Sequence, residues 1–298
     1  MKQWNLIVDV ALCENCHNCT LAVKDEHVGN DFPGYAAPAP ARGSDWIRIT
    51  RKVRGAAPMV DAAYLPTMCN HCDDAPCVKA GKGAVRKRDD GIVIIDPEKS
   101  RGRRDLVDAC PYGAISWNEE LALPQAWIFD AHLLDAGWKE PRCVQACPTG
   151  ALRALKQDAA AMQAQARAES LEVLMPELGT KPRVYYRNLH RFDTCFIGGS
   201  VVAEIDGVTE CVAHAAVIVR KDGAEVARAA TDVFGDFKCD GFEPNSGAHT
   251  VEIAHPRLGS AFATCVLGES VYLGTLRLST AARPANADEL ASAAGKAA

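Results

Sequence analysis

The spacing of apolar and polar residues changes character twice along this chain. From about residue 200 onward, short β-prone runs at 201–205, 215–220, 224–230, 234–239, 249–253, 261–267 and 271–278 are separated by turn residues. Each predicts a strand, and Asp222-Gly223 between two of them is a two-residue hairpin signal. Seven strands in about eighty residues predict a small all-β sandwich or barrel. Residues 156–173 are rich in Ala, Gln and Glu, lack Gly and Pro, and stop before Pro176 and Gly179, which predicts one solvent-facing connector helix. The run at 181–189, Lys-Pro-Arg-Val-Tyr-Tyr-Arg-Asn-Leu, reads as extended chain. Two placements suit it equally: across a domain or subunit surface, or partly in a core.

Composition narrows the class. The 298 residues are 48% hydrophobic and 24% charged, as in a soluble globular protein. A net charge of −5 gives no global attraction for nucleic acid or anionic lipid, so the run Arg86-Lys87-Arg88 needs only a local explanation. No stretch approaches the roughly 18 apolar residues of a membrane span, and the first twelve residues lack a basic start and a small-residue cleavage site. The expectation is a cytoplasmic protein with no nucleic-acid partner and no direct membrane insertion.

Thirteen cysteines, an odd number without a secretion signal, argue for thiolate ligands over a disulfide framework. Nine lie between Cys13 and Cys147; Cys195, Cys211, Cys239 and Cys265 are widely spaced and read as small buried apolar residues. Density and periodicity together predict an α+β chain with a cysteine-rich domain at 1–155, a helical and extended linker at 156–195, a β domain at 196–280 and a disordered tail at 281–298.

Cys13, Cys16 and Cys19 have C-x2-C-x2-C spacing, which wraps a tight loop around one corner of a cubane. Cys69, Cys72 and Cys77 form a second local triplet. Each triplet needs a distant fourth ligand, and Cys110-Pro111 and Cys147-Pro148 carry the proline that marks such a ligand in bacterial ferredoxins. Two triplets and two Cys-Pro ligands suffice for two [4Fe-4S] clusters. Structural zinc, the competing reading, has no use for the third cysteine of a triplet.

The segment 109–115 (Ala-Cys-Pro-Tyr-Gly-Ala-Ile) repeats at 146–152 (Ala-Cys-Pro-Thr-Gly-Ala-Leu) and, one residue shorter, at 80–85 (Ala-Gly-Lys-Gly-Ala-Val). In that copy Gly81-Lys82 stands where the others have Cys-Pro, and Val23 occupies the ligand position four residues after Cys19.

This layout resembles the four-cluster, double-ferredoxin subunits that accompany molybdopterin enzymes of the dimethyl sulfoxide reductase family. The resemblance pairs the ligands: Cys13, Cys16, Cys19 and Cys147 for one cluster, and Cys69, Cys72, Cys77 and Cys110 for the other. It also pairs the gaps. Ser100, Arg103 and Leu106 stand in the place of a third triplet with Gly81 as its cross-ligand position, while Trp127, Asp130 and Cys143 stand in the place of a fourth with Val23. Whole sites are lost and two are spared, leaving Cys143 an orphan thiol and Asp130 a conceivable replacement ligand. Trp127, Leu106 and Val23 have the bulk to fill vacated volume.

Within that family the chain is most similar to small subunits of the pyrogallol-phloroglucinol transhydroxylase and resorcinol hydroxylase branch. The stretches that carry this are Asp25-Glu26-His27, Phe32-Pro33-Gly34-Tyr35, 91–99, Trp117-Asn118-Glu119-Glu120, Ala131-His132-Leu133-Leu134-Asp135 and 176–192. The segment 231–237, Thr-Asp-Val-Phe-Gly-Asp-Phe, resembles the TDxxGxF turn of transthyretin-like or carboxypeptidase-regulatory β domains, with Gly235 permitting the turn and Phe234 or Phe237 anchoring it.

The resemblance implies a non-catalytic iron-sulfur subunit of a hydroxylase or hydroxytransferase for polyhydroxylated aromatics. Its molybdopterin guanine dinucleotide, with Mo or W, belongs to a large catalytic partner. The chain shows no catalytic constellation: His17 and His71 fit packing beside a cluster or a hydrogen bond to its sulfurs, His27 and His132 structural or interface roles, and Asp89-Asp90 a solvated turn. Two other functions use the same cysteines, a respiratory electron carrier and a scaffold stapled by its clusters.

Overall fold

The structure, a computed structural model, describes residues 1–43 and 45–280; the tail expected at 281–298 lies outside them. The chain divides into two units, Met1–Arg51 with Tyr64–Leu189, and Lys52–Ala63 with the chain from His190 onward. The first contains β1 (Gln3–Asp9), α1 (Asn18–His27), β2 (Arg48–Ala56), β3 (Met59–Thr67), α2 (Pro76–Gly81), β4 (Val85–Lys87), β5 (Val93–Ile95), α3 (Asp105–Asp108), β6 (Ser116–Asn118), β7 (Leu123–Gln125), α4 (Ala131–Asp135), α5 (Arg142–Gln145), β8 (Leu152–Gln157), α6 (Ala159–Ala168) and β9 (Val184–Arg187). The outer part of the β2–β3 hairpin, residues 52–63, counts with the second unit.

In the first unit, Leu6, Ile7 and Val8 are all buried, so β1 has apolar neighbours on both faces. It is the centre of a three-stranded sheet, antiparallel to β8 with Trp4 opposite Lys156 and parallel to β9 with Leu6 opposite Val184. The run at 181–189 therefore enters the core: Val184 and Tyr186 are fully buried, and the Tyr186 hydroxyl donates to the Pro66 carbonyl at 3.1 Å.

The connector helix is shorter and more engaged than its sequence suggests. Residues 156–157 end β8, and α6 starts after Asp158, whose carboxylate accepts the Ala161 N–H at 2.9 Å as an N-cap. Met162 and Ala166 turn inward onto Ile7 and Tyr185, so one face of α6 belongs to the core and is not solvent-facing. Small residues on that face hid the amphipathic signal.

Each copy of the internal repeat has a short helix in front and a strand behind: α2 and β4, α3 and β6, α5 and β8. Gly83, Gly113 and Gly150 occupy equivalent places, all at positive φ of 94°, 59° and 68°. The alanine after each is buried, as is the β-branched or leucine residue that follows it. The repeat thus encodes one tight turn that drives an apolar pair inward.

The second unit contains α7 (His190–Asp193), β10 (Cys195–Ile205), β11 (Val208–Cys211), β12 (Ala216–Lys221), β13 (Ala224–Ala230), β14 (Asp236–Phe242), β15 (Gly247–His255), β16 (Gly259–Leu267) and β17 (Val271–Arg277). One sheet has the order β11-β10-β14, with β17 also paired to β10, and the other has the order β13-β12-β15-β16. Alternate residues of both sheets share one core, including Ile197, Val201, Val217, Val219, Phe237, Val251 and Ile253. This is a two-sheet sandwich. All seven expected strands are present; β11 is additional, and because all four of its residues are exposed it carries no alternation to read.

Asp222 and Gly223 both have positive φ, 49° and 79°, as the hairpin requires. In the 231–237 turn the Asp232 carboxylate accepts the N–H groups of Phe234 and Asp236, both at 2.9 Å. Phe237 is the core anchor and Phe234 is exposed. A Cβ on Gly235 would lie 2.5 Å from the Val201 carbonyl oxygen. Cys195 and Cys239 are core residues and Cys265 packs against them, but Cys211 is exposed on β11, contrary to its expected burial. No helix among the described residues is long and apolar enough to cross a membrane.

The 52–63 segment is held in this unit by charge. Arg54, 3% exposed, donates to Asp61 at 2.5 Å, to both Asp240 oxygens at 2.8 Å and to the Thr194 carbonyl at 3.1 Å. Asp61 also receives Arg191 at 2.7 Å and Lys238 at 3.2 Å. Burial alone would raise the Asp61 carboxyl pKa, but the hydrogen bonds from these three cations hold it well below the usual range. Arg54→Met is expected to cost about 3 kcal/mol, as for one partner removed from a buried ion network, read as a lower urea midpoint of the full chain. The folded pKa of Asp61 is depressed, so its contribution is present above the unfolded value of about 3.9 and fades as pH falls below it; wild type and Arg54→Met should converge in stability during acid titration.

Candidate metal centres

Both triplet loops are bent by residues held in the left-handed region. Asn15 and His17, between Cys13 and Cys19, have φ of 59° and 61°; His71, between Cys69 and Cys72, has 46°. Such kinks reverse the chain within three residues and turn successive side chains toward one centre. Cys19 then lies in the first turn of α1, and Cys77 in α2, whose N-terminus carries Pro76.

Cys69, Cys72, Cys77 and Cys110 line one small pocket, together with Asn70, His71, Val93, Tyr112 and Ile115. The thiols feel one another. Burial, then the charges of Cys110 and Cys72, push Cys77 up to about 11. Cys69 is also raised, by burial and then by Cys77. Cys13, Cys16, Cys19 and Cys147 form the other group: burial raises Cys13, with Cys147 and Cys16 adding to it, and burial pushes Cys19 up to about 11, with Cys13 and Cys147 adding. Four such thiols resist ionising together unless positive charge sits among them, which metal ions supply. Among the described residues no three His, Cys, Asp or Glu stand close enough to hold a single ion. The four thiols of the second group share the lining of one pocket.

The positions that the resemblance pairs as further ligand places are closed. Trp127, Leu106 and Ser100 are fully buried and Val23 nearly so. A Cβ at Gly81 would meet the Val85 side chain at 2.7 Å, so the cross-ligand place is filled by its neighbour. Arg103 donates to the Ala80 carbonyl at 3.0 Å and pairs with Asp105. Asp130, at φ 49° and fully buried, accepts the Arg142 N–H at 2.8 Å with one oxygen and lies 3.4 Å from His27 Nε2 with the other. Cys143 is buried within electrostatic reach of Asp130 and Cys19.

The histidines separate. His17 is exposed, whereas His71 is buried with Nδ1 3.7 Å from Cys69 Sγ. Nδ1 accepts the Val93 N–H at 3.1 Å, which places the proton on Nε2, beside the rings of Trp127 and Phe129. His71 therefore packs beside the thiols and does not donate to them. Burial, with Lys87 and Arg183, pulls it down to about 3. His27 is buried, and His132 pairs with Glu26 at 2.8 Å.

Several polar residues at the second group have no sequence signal beyond their place. Both side-chain polar atoms of Asn70 are buried without a partner, facing a site whose sulfurs would accept its N–H. Thr180 hydrogen-bonds Cys72 and lies 2.5 Å from the Tyr112 hydroxyl. The basic run has its local explanation: Arg86 donates to the Gly34 carbonyl, Lys87 to carbonyls of the cysteine loop, and Arg88 to Asp90 and Asp135. Asp90 is accordingly a bound turn residue; only Asp89 is exposed.

Residues 60–157 match the family described as a 4Fe-4S dicluster domain, which makes the first unit an iron-sulfur domain of ferredoxin type. The chain is 43% identical over 281 residues to the pyrogallol hydroxytransferase small subunit of Pelobacter acidigallici, covering 93% of this chain and 100% of that one. It is 35% identical over 138 residues to the arsenate respiratory reductase iron-sulfur subunit ArrB of a Shewanella species, covering 46% of this chain and 53% of that one. With a tetrathionate reductase subunit of Salmonella typhimurium the identity is 32% over 193 residues, 63% of this chain and 73% of that one. The chain belongs to the family of the pyrogallol hydroxytransferase small subunit, among the iron-sulfur subunits of dimethyl sulfoxide reductase type.

His71→Leu should leave the buried Val93 N–H without its acceptor and destabilise the first unit by about 1–3 kcal/mol. A lower urea midpoint, with faster hydrogen exchange at the Val93 amide, is the expected result.

Proposed function

We propose that this chain is the non-catalytic iron-sulfur subunit of a molybdopterin-dependent hydroxytransferase or hydroxylase acting on polyhydroxylated aromatics. One [4Fe-4S] cluster is assigned to Cys13, Cys16, Cys19 and Cys147, the second to Cys69, Cys72, Cys77 and Cys110. The supporting observation is that each group joins a local triplet to one distant Cys-Pro. The molybdopterin guanine dinucleotide, with Mo or W, and the aromatic substrate belong to a larger partner subunit. The β unit reads as transthyretin-like, and the complex as cytoplasmic.

When bound, the clusters supply one-electron storage. The chain's own residues divide the work. Cys16 is exposed and flanked by exposed Leu12 and Leu21, a partly apolar rim suited to a covering partner. Around the second group the buried His71, Val93 and Ile115 exclude water, and Asn70 and Thr180 supply donors toward sulfur. Tyr112 and Thr180 fix each other. Transfer of a hydroxyl between aromatics has no net redox change, which suits a subunit with two cluster sites closed.

Iron and acid-labile sulfide in the anaerobically purified complex are expected at about eight of each for this chain, after subtracting the partner's content. Cys110→Ala should remove about four. About twelve would mean that Asp130 or another residue completes a third cluster; near zero with zinc present would sink the assignment.

A further inference from the structure

Lys87 is the second residue of a basic run, yet its side chain turns into the unit. Its Nζ donates to the carbonyls of His71 at 2.8 Å, Cys72 at 3.0 Å and Gly91 at 3.0 Å, and pairs with Asp73 at 2.9 Å. Two of those carbonyls belong to the loop between Cys69 and Cys77. Arg183, 5% exposed, grips the same Asp73 carboxylate at 2.6 and 2.8 Å. Two cations share one carboxylate, which leaves a net charge of about +1. The cations are the inner members: the side chains of Lys87 and Arg183 are 19% and 6% exposed and that of Asp73 is 37%. Lys87 Nζ thus stands against the backbone of Cys72, one of the four assigned ligands.

Reduction of a thiolate-bound cluster adds negative charge to its surroundings. A fixed cation in a low-dielectric interior stabilises the reduced form more than one in water would. Lys87 also clamps the His71 and Cys72 carbonyls, which fixes the loop that carries two of the four thiols.

We propose that Lys87 is a positioning residue that sets the reduction potential of the second cluster upward, through the net positive charge of the Lys87-Asp73-Arg183 triad beside Cys72. The inference rests on the ligand assignment made above. It extends that assignment by saying which residue makes the two clusters electrically different.

The test is a stepwise dithionite titration of the anaerobically purified complex, with each cluster followed by its electron paramagnetic resonance signal. Cys110→Ala identifies the signal of the second cluster. Lys87→Met should shift that cluster's reduction equilibrium about tenfold toward the oxidised form, about 59 mV for a one-electron couple, and leave the first cluster unmoved. Asp73→Asn removes the counter-charge and should shift it in the opposite direction, while Lys87→Arg should hold it near wild type. A purely structural role for Lys87 predicts no such opposition of sign. If both charge-changing variants keep full iron and the wild-type potential, or move it in the same direction, the inference is overturned. If Lys87→Met fails to retain the second cluster, Asp73→Asn decides: an upward shift sustains the inference and an unchanged potential ends it. A wild-type complex without iron in this chain would overturn the ligand assignment itself, a separate failure.

Discussion

The constraint on which the first unit depends is the cost of ionising several thiols in one poorly solvated place. Burial and mutual repulsion raise Cys19, Cys69, Cys72 and Cys77, and the local chain does little to relieve them. What relief Cys72 has comes from Thr180, a backbone N–H and Lys87, all at the margins. An iron-sulfur group therefore does for this interior what apolar packing does elsewhere: it makes a dense, satisfied centre out of groups that otherwise repel. On the two-cluster reading, part of the folding free energy of the unit is metal-binding free energy.

The closed positions show the same rule from the other side. Where the resemblance would place further cysteines, the chain has Trp127, Leu106 and, beside Gly81, the Val85 side chain, all fully or nearly fully buried. The loop before Cys143 has left-handed residues at Phe129 and Asp130. Trp127 stacks on Phe129 with ring centroids 4.8 Å apart, and Phe129 approaches Trp4 at 5.8 Å. Trp4, His71, Trp127 and Phe129 form one buried aromatic cluster. Some polarity remains unresolved, since the Trp127 Nε1 and Ser100 Oγ are buried without partners.

Much of this was legible in the chain. Triplet spacing and the Cys-Pro repeats pointed to an iron-sulfur domain, which the family match bears out, and alternation located seven strands of the sandwich. What escaped did so for identifiable reasons. Strand β11 is exposed at every residue and has no pattern. The inner face of α6 is built from Met162 and Ala166, and because alanines also occupy its exposed positions the apolar face does not stand out. The parallel pairing of β1 with β9 joins segments far apart in sequence, and nothing local announces it. Lys87 looked like one third of a surface charge run because sequence does not record which of three adjacent basic residues points inward. Cys211, read as buried with the other late cysteines, lies on an exposed edge strand because nothing in its spacing distinguishes it.

The second unit is not a continuous piece of chain. Its residues 52–63 are synthesised long before the strands that complete it, and most of the cysteine-rich unit emerges in between. Until the end of the chain appears, the buried guanidinium of Arg54 has Asp61 within its own hairpin but lacks Asp240. Each molecule thus carries a bookmark for its last-made part, and a gene fragment cut at the end of the iron-sulfur region would leave that charged hairpin without its socket. The boundary that looks natural in the sequence is therefore a poor place to divide the protein.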